Sequence, residues 1–381
     1  MVCSDAMEME TQPVTSQNTN PRRIDLAGIL FIGGFVIVGL LRLWYCFQVP
    51  WHTTDLLRNL GYGREFWNLG FSIYDRTPQD FAPHPSQFLW GGHYYTYPAY
   101  TALFFALIAP LSPGLIAGKL WLTLLDGINA VCIGKMTKDR TLALLYWANP
   151  IGVWHISHEG QFESFVGFWM ILAIWLLWRR NPWAFFLFGV AIQTKFFPVF
   201  LAPVFLFDSG RVPWKIWAKR MGLFAFSFLP TVLVLVQSEY LHRFLQPGYI
   251  PGINYIAWGV ADYGHFPYQS WWLILTNAAT SIGVLILIIW LAYRSGTVLD
   301  YSPCFLFLFS LKTIPLAQFW YMQMFPAFAL TIRNVVHRRL LFLACMAMAA
   351  RSILSILGLR FAYMNPPEIL SLLQACLWRI P

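Results

Sequence analysis

The sequence predicts an all-α, polytopic membrane protein of about 11 transmembrane helices, and three observations carry that expectation. Of 381 residues, 58% are hydrophobic and only 11% are charged, against about 25% charged in soluble domains. Aromatic residues reach 18%, the type that fills helix interfaces and the headgroup belts of a bilayer. The basic residues, which bring the net charge to +9, stand between apolar runs. That is the pattern of positive-inside loops and not of a nucleic-acid surface, so membrane lipids and no nucleic acid are the expected surroundings. The cysteines Cys3, Cys46, Cys132, Cys304, Cys345 and Cys376 are scattered without CxxC spacing and read as small buried hydrophobes.

Taken in order, residues 1–25 are polar and read as a disordered cytoplasmic tail. Residues 26–47 supply the first span, and Arg22 and Arg23 ahead of it put the N-terminus in the cytoplasm. Residues 50–97 then form a long first extracytoplasmic loop, rich in Pro, Gly and aromatics, with an amphipathic helix over 55–69. The run 98–109 is short and is expected to dip into or lie along the outer leaflet. Only then do Lys135, Lys138 and Arg140, and also Arg179 and Arg180, fall inside. Spans follow at 115–134, 141–154 and 162–178. The run 183–207 is interrupted by Gln193, Thr194, Lys195 and Pro198 and is expected to make two crossings that turn near Lys195, its short halves tilted or forming a re-entrant hairpin. Residues 221–236 lead out to a second outer loop, 239–269. Runs at 270–292, 303–314, 315–332 and 340–357 complete a single integral-membrane domain over 26–358. An amphipathic segment, 359–381, follows it.

On this topology the polar residues that interrupt apolar sequence gather on the outer face. They are Asp55, then His155, His158, Glu159, Gln161 and Glu163, then Lys195, then Lys312, Gln318 and Tyr321. Ionisable groups at membrane depth are costly and mark functional sites. His155, His158, Glu159 and Glu163 extend along one helical face, but no HExxH or comparable ligand motif accompanies them. A hydrogen-bonded polar turn is expected there, with no metal or other cofactor. Asp126, two turns after Lys119, is expected to make a buried contact with it.

Several short motifs add to this reading. They are Thr54-Asp55, G-F-S-I-Y-D at 70–75, Tyr95-Thr96-Tyr97-Pro98 and Asn149-Pro150. Gly160-Gln161-x-Glu163, G-V-A-I-Q-T-K-F-F-P at 189–198, and Gln318-x-x-Tyr321 leading to Pro326 complete the set. Their order over residues 26–330 resembles the GT-C membrane glycosyltransferases that use polyprenyl-phosphate sugars. The likeness is stronger to the bacterial polyprenyl-phosphate-mannose-dependent enzymes than to the catalytic subunit of GPI mannosyltransferase I. Two departures matter. Leu56 and Leu57 follow Asp55 where the GPI enzyme has a paired acidic motif, which weakens a metal-dependent reading. Glu163 stands where related proteins often have Asp.

The resemblance implies an inverting transfer of a hexose, by family likeness mannose, from a polyprenyl phosphate to a hydroxyl of a glycolipid or glycan on the extracytoplasmic face. It also implies a bacterial plasma membrane rather than endoplasmic reticulum. Asp55 would be the general base, though it is equally placed to cap its helix. Lys195 would bind the donor phosphate, unless it snorkels to the surface. Arg58 and Arg64 would reach phosphate or anchor the helix to headgroups. Tyr97, His158, Gln161, Glu163, Gln318 and Tyr321 would line the sugar and acceptor pocket. Two other readings stand beside this one. A transporter or lipid-linked sugar flippase would show broken helices in two matching halves, whereas only 193–198 reads as broken. A non-catalytic scaffold subunit would tolerate loss of Asp55, Lys195 and Glu163.

Overall fold

A computed structural model of the chain describes residues 26–50, 54–80, 94–112, 114–195, 197–207, 212–244 and 325–331, together with 335, 338, 339 and 342. All regular structure among them is helical. Three helical runs are long and apolar enough to cross a membrane: α1 (Leu26–Cys46), α4 (Leu115–Thr137) and the continuous run Trp214–Gln237. The last is made of α9 (Trp214–Ser227) and α10 (Leu229–Gln237), with Pro230 in the first turn of α10. It begins seven residues before the expected span at 221, because Lys215, Lys219 and Arg220 join its first turns. Long basic side chains tolerate that position by reaching toward the headgroups.

Within the segment expected to form the first outer loop, the described residues 54–80 and 94–97 include the expected amphipathic helix. α2 (Thr54–Leu69) occupies the proposed amphipathic segment and passes into a 3-10 turn at Gly70–Asp75. α3 (Ala99–Ile108), extended by a 3-10 turn at Ala109–Leu111, is ten residues long. That is about 15 Å, half the hydrocarbon thickness of about 30 Å, so α3 is too short to cross. α2 and α3 pack closely enough that a Cβ on Gly63 would overlap the Phe105 carbonyl.

The span expected at 141–154 is instead broken. α5 (Arg140–Trp147) ends before Asn149-Pro150, where the missing proline N–H interrupts the ladder. The Asn149 side chain accepts from the Ile151 amide, and a π-helical segment, Gly152–His158, follows. Glu159 and Gly160 then turn the chain, so that α6 (Glu163–Trp178) leaves at 118° to the π segment. The run after α6 divides as expected: α7 (Trp183–Ile192), a non-helical break at 193–195, a 3-10 turn at Phe197–Leu201 and α8 (Ala202–Phe207). α11 (Tyr240–Phe244) and α12 (Phe325–Ala329) complete the described elements.

The core joins Leu56 and Leu60 of α2 to Phe105, Leu122, Phe162, Val166, Phe188 and Phe205. α1 stands at its edge with most of its apolar side chains exposed. At one end of α4, Lys119 meets Gln48, and Asp55 meets Gln161. At the other end, the Asp139 carboxylate accepts two hydrogen bonds from Arg339, at 3.0 and 2.9 Å. The 23 residues of α4 separate these layers by roughly 35 Å.

The expected spans at 270–292, 303–314 and 340–357, except Phe342, lie outside the described residues. So do most of 315–332, the second outer loop beyond Phe244, the tail 1–25 and the segment 359–381.

Candidate functional site

The candidate site forms where the first turn of α2, the turn before α6 and the break after α7 converge. Leu56 sets the first contact. It packs against Gly160 and Gly118, and a Cβ on Gly160 would overlap its Cδ2. Gly160 also has φ +77°, a left-handed conformation that only glycine adopts freely. This close approach brings Asp55 to Gln161, whose amide donates to the carboxylate at 3.4 Å.

Asp55 lies in the first turn of α2 and its other oxygen accepts from Arg58 at 3.0 Å. No backbone amide among the described residues bonds to it, so the expected helix cap is not made. Its side chain is 22% exposed, the most open of the site's charged groups. Arg58 is buried and its guanidinium lies 5.3 Å from the Tyr97 ring centre. Burial alone would lower the Arg58 pKa; the adjacent Asp55 carboxylate and the phenols of Tyr97, Tyr95 and Tyr62 outweigh it and raise it.

Glu163 opens α6, where a negative charge is favoured by the helix dipole. It forms an ion pair with Lys195, and the Glu163 side chain is 0% exposed. Lys195 stands 4.8 Å from the Phe162 ring centre, and Phe162 meets Tyr97 edge-on at 4.9 Å. The break that carries Lys195 is held by α3. Thr101 donates to the Thr194 carbonyl at 2.6 Å, and the Tyr100 amide donates to the Gln193 carbonyl at 3.3 Å. Carbonyls left without helical partners at the end of α7 are thereby satisfied.

Two candidates lie elsewhere. Arg64 is exposed and donates to the Ser112 carbonyl at 3.1 Å. It sits nine residues beyond Asp55, about 13 Å along the helix. His158 belongs to a cluster behind the site. Its Nδ1 pairs with Glu159 at 2.9 Å, its ring lies 4.2 Å from Trp154, and its carbonyl accepts from Lys119. The single face imagined for His155, His158, Glu159 and Glu163 does not exist, because the π segment and Gly160 interrupt the register. Among the described residues no three His, Cys, Asp or Glu side chains gather as a metal site. Gln318 and Tyr321 lie outside the described residues, as does Lys312.

The expected Asp126–Lys119 contact is also corrected. Seven residues separate them by about 10 Å along α4, and each finds another partner. Lys119 donates to the carbonyls of Gln48 (2.7 Å), His158 (3.1 Å) and Tyr45 (3.5 Å). Asp126 pairs with Arg42 of α1 at 2.8 Å, both fully buried, and accepts from the Tyr146 hydroxyl at 2.6 Å. Arg42 also donates to the Trp147 carbonyl at 3.0 Å. This network joins α1, α4 and α5 below the candidate site. An arginine inside an apolar run is the same signal that singled out Lys195; Arg42 carries it too, but was not picked out from the sequence.

Comparison with protein-family models, curated proteins and solved structures finds no match. Among the described residues, fold and site define the class: helical throughout, with several helices fit to span a membrane and a cluster of ion pairs at one end of them.

Proposed function

We propose that the chain is a membrane glycosyltransferase of the GT-C type, moving a hexose from a polyprenyl phosphate to an acceptor hydroxyl on the extracytoplasmic face. One observation carries most weight. A partly open carboxylate, Asp55, stands near a buried Glu163–Lys195 pair, with the Tyr97 ring against Arg58 and the Phe162 ring against Lys195. In this reading Asp55 takes the acceptor proton as the acceptor oxygen bonds to the sugar C1 from the face opposite the phosphate. The C1–O bond to phosphate breaks, and the carrier phosphate leaves with the electron pair. Arg58 and Gln161 orient Asp55, each donating to one of its oxygens. The donor phosphate competes with Glu163 for Lys195, which then offsets the charge of the leaving group. Mannose is the sugar and a bacterial plasma membrane the location by family likeness; the acceptor is a glycolipid or glycan. The test is purified protein with polyprenyl-phosphate-[14C]mannose and membrane lipids. Label should move to a new lipid or glycan product, and an unchanged donor over long incubation overturns the reading.

A second reading, a lipid-linked sugar flippase or transporter, gains one observation. The 118° bend before α6 is a second interrupted element, and the Glu163–Lys195 pair joins it to the break after α7. Paired broken helices at a buried polar site are typical of transporters. Reconstituted protein that moves the labelled carrier lipid across vesicles without forming product would favour it.

A further inference from the structure

We propose that Asn59 binds a hydroxyl of the transferred hexose, as a sugar-recognition residue one helical turn beyond Asp55. The inference rests on the glycosyltransferase reading. Asn59 is 0% exposed, and neither its Nδ2 nor its Oδ1 has a hydrogen-bond partner among the described residues. Its neighbours on this side of α2 are accounted for. Leu56, Leu60 and Gly63 make the packing contacts with α3, α4 and Gly160, and Tyr62 donates to the Arg76 carbonyl at 2.7 Å.

Leaving a buried polar group unmade costs about 1–3 kcal/mol, and an apolar side chain of the same shape avoids the penalty. A leucine at 59 would serve packing better than asparagine does. An amide has two donor hydrogens and an acceptor oxygen, and a sugar hydroxyl both donates and accepts, so one ligand group answers both ends. The spacing of four residues puts Asn59 on the same helical face as Asp55. Glu163 Oε2 is also fully buried and without a partner among the described residues. The aromatic rings of Tyr97 and Phe162 supply the apolar wall against which a hexose packs its C–H face.

The test measures three quantities on wild type and Asn59→Leu in detergent. These are affinity for polyprenyl-phosphate-mannose, affinity for sugar-free polyprenyl phosphate, and thermal unfolding. Sugar recognition predicts at least about tenfold weaker binding of the mannosylated carrier, unchanged binding of the bare carrier, and a Tm equal to or above wild type. Wild-type affinity for both lipids overturns the inference. So does equal weakening on both lipids with a lowered Tm, which marks a structural amide. Should Asn59→Leu fail to fold, Asn59→Ser is measured by the same criteria. A wild type that transfers mannose while the variant keeps donor affinity sinks this inference alone. A wild type that binds the two lipids equally and transfers nothing sinks the glycosyltransferase reading itself.

Discussion

Lys195 and Glu163 show how much a side chain's role depends on what lies opposite it. Lys195 is legible in the sequence as a cation within an apolar run, and a buried lysine has to reach either water or an anion. It reaches Glu163, which the sequence places thirty-two residues away and only the fold brings near. Lys195→Met therefore leaves a buried, unpaired carboxylate, and we expect a loss of about 3–5 kcal/mol. Adding Glu163→Gln should recover most of it, because the stranded charge is gone. Thermal unfolding of the two variants checks this; a single mutant as stable as the double contradicts the pairing. Donor affinity is then best read in the double variant, which separates phosphate binding from stability. Asp55 was legible as a carboxylate at the start of a helix, but not in its partners. Asp126 was misread because sequence spacing on α4 suggested Lys119, while its partner Arg42 comes from another helix.

At the scale of elements, runs of apolar residues marked α1, α4 and α6 well, since each is set by local pattern and length. The amphipathic α2 and the short α3 were legible for the same reason. The 118° bend before α6 was not, because a π segment follows from backbone packing and leaves no distinct periodicity. Gly160 makes the bend possible. Gly160→Ala adds a side chain at positive φ, worth about 1–2 kcal/mol, and drives it into Leu56. We expect lower thermal stability and reduced transfer together, because the contact that seats Asp55 is the one displaced. Pairing it with Leu56→Ala should restore part of both; full activity in Gly160→Ala alone would show that this contact does not seat Asp55.

Asp139 gives the pH dependence at the opposite end. It caps α5 by accepting from the amides of Thr141 (3.0 Å) and Leu142 (3.3 Å). Burial pushes its pKa up, but the Arg339 guanidinium and these amides bring it below its ordinary value. The folded value is thus below the unfolded one. The carboxylate's stabilisation is complete above the unfolded pKa of about 3.9 and is lost as pH falls through the lower folded value. Asp139→Asn keeps the cap and removes the charge, so its stability should be lower than wild type near pH 7 and converge with it in acid. Parallel pH profiles of thermal unfolding would contradict this assignment.

Over the whole molecule, the charge rule sorts the connections into two sides, an expectation to be tested directly; among the described residues, Asp55 with Gln161 and Asp139 with Arg339 lie at opposite ends of α4. Gln79 is exposed in the outer-loop layer and Lys135 in the layer of Asp139 and Arg339. In a cysteine-free background, Gln79→Cys should label with an impermeant maleimide in intact cells, and Lys135→Cys only after permeabilisation. Labelling of both from one side overturns the topology. Chemistry is less legible than topology, because the motifs are short and the site is assembled from three separated segments. The most direct measurement is therefore the single-turnover rate of mannose transfer from polyprenyl-phosphate-mannose by wild type and Asp55→Asn, at matched donor occupancy. Asparagine retains the size of aspartate and one acceptor oxygen, which can still meet Arg58, but is not a base, so the account predicts a folded, donor-binding variant with transfer slowed about 10²–10⁴-fold. Near-normal transfer by folded, donor-bound Asp55→Asn would contradict it and move the base to Glu163 or Asp75.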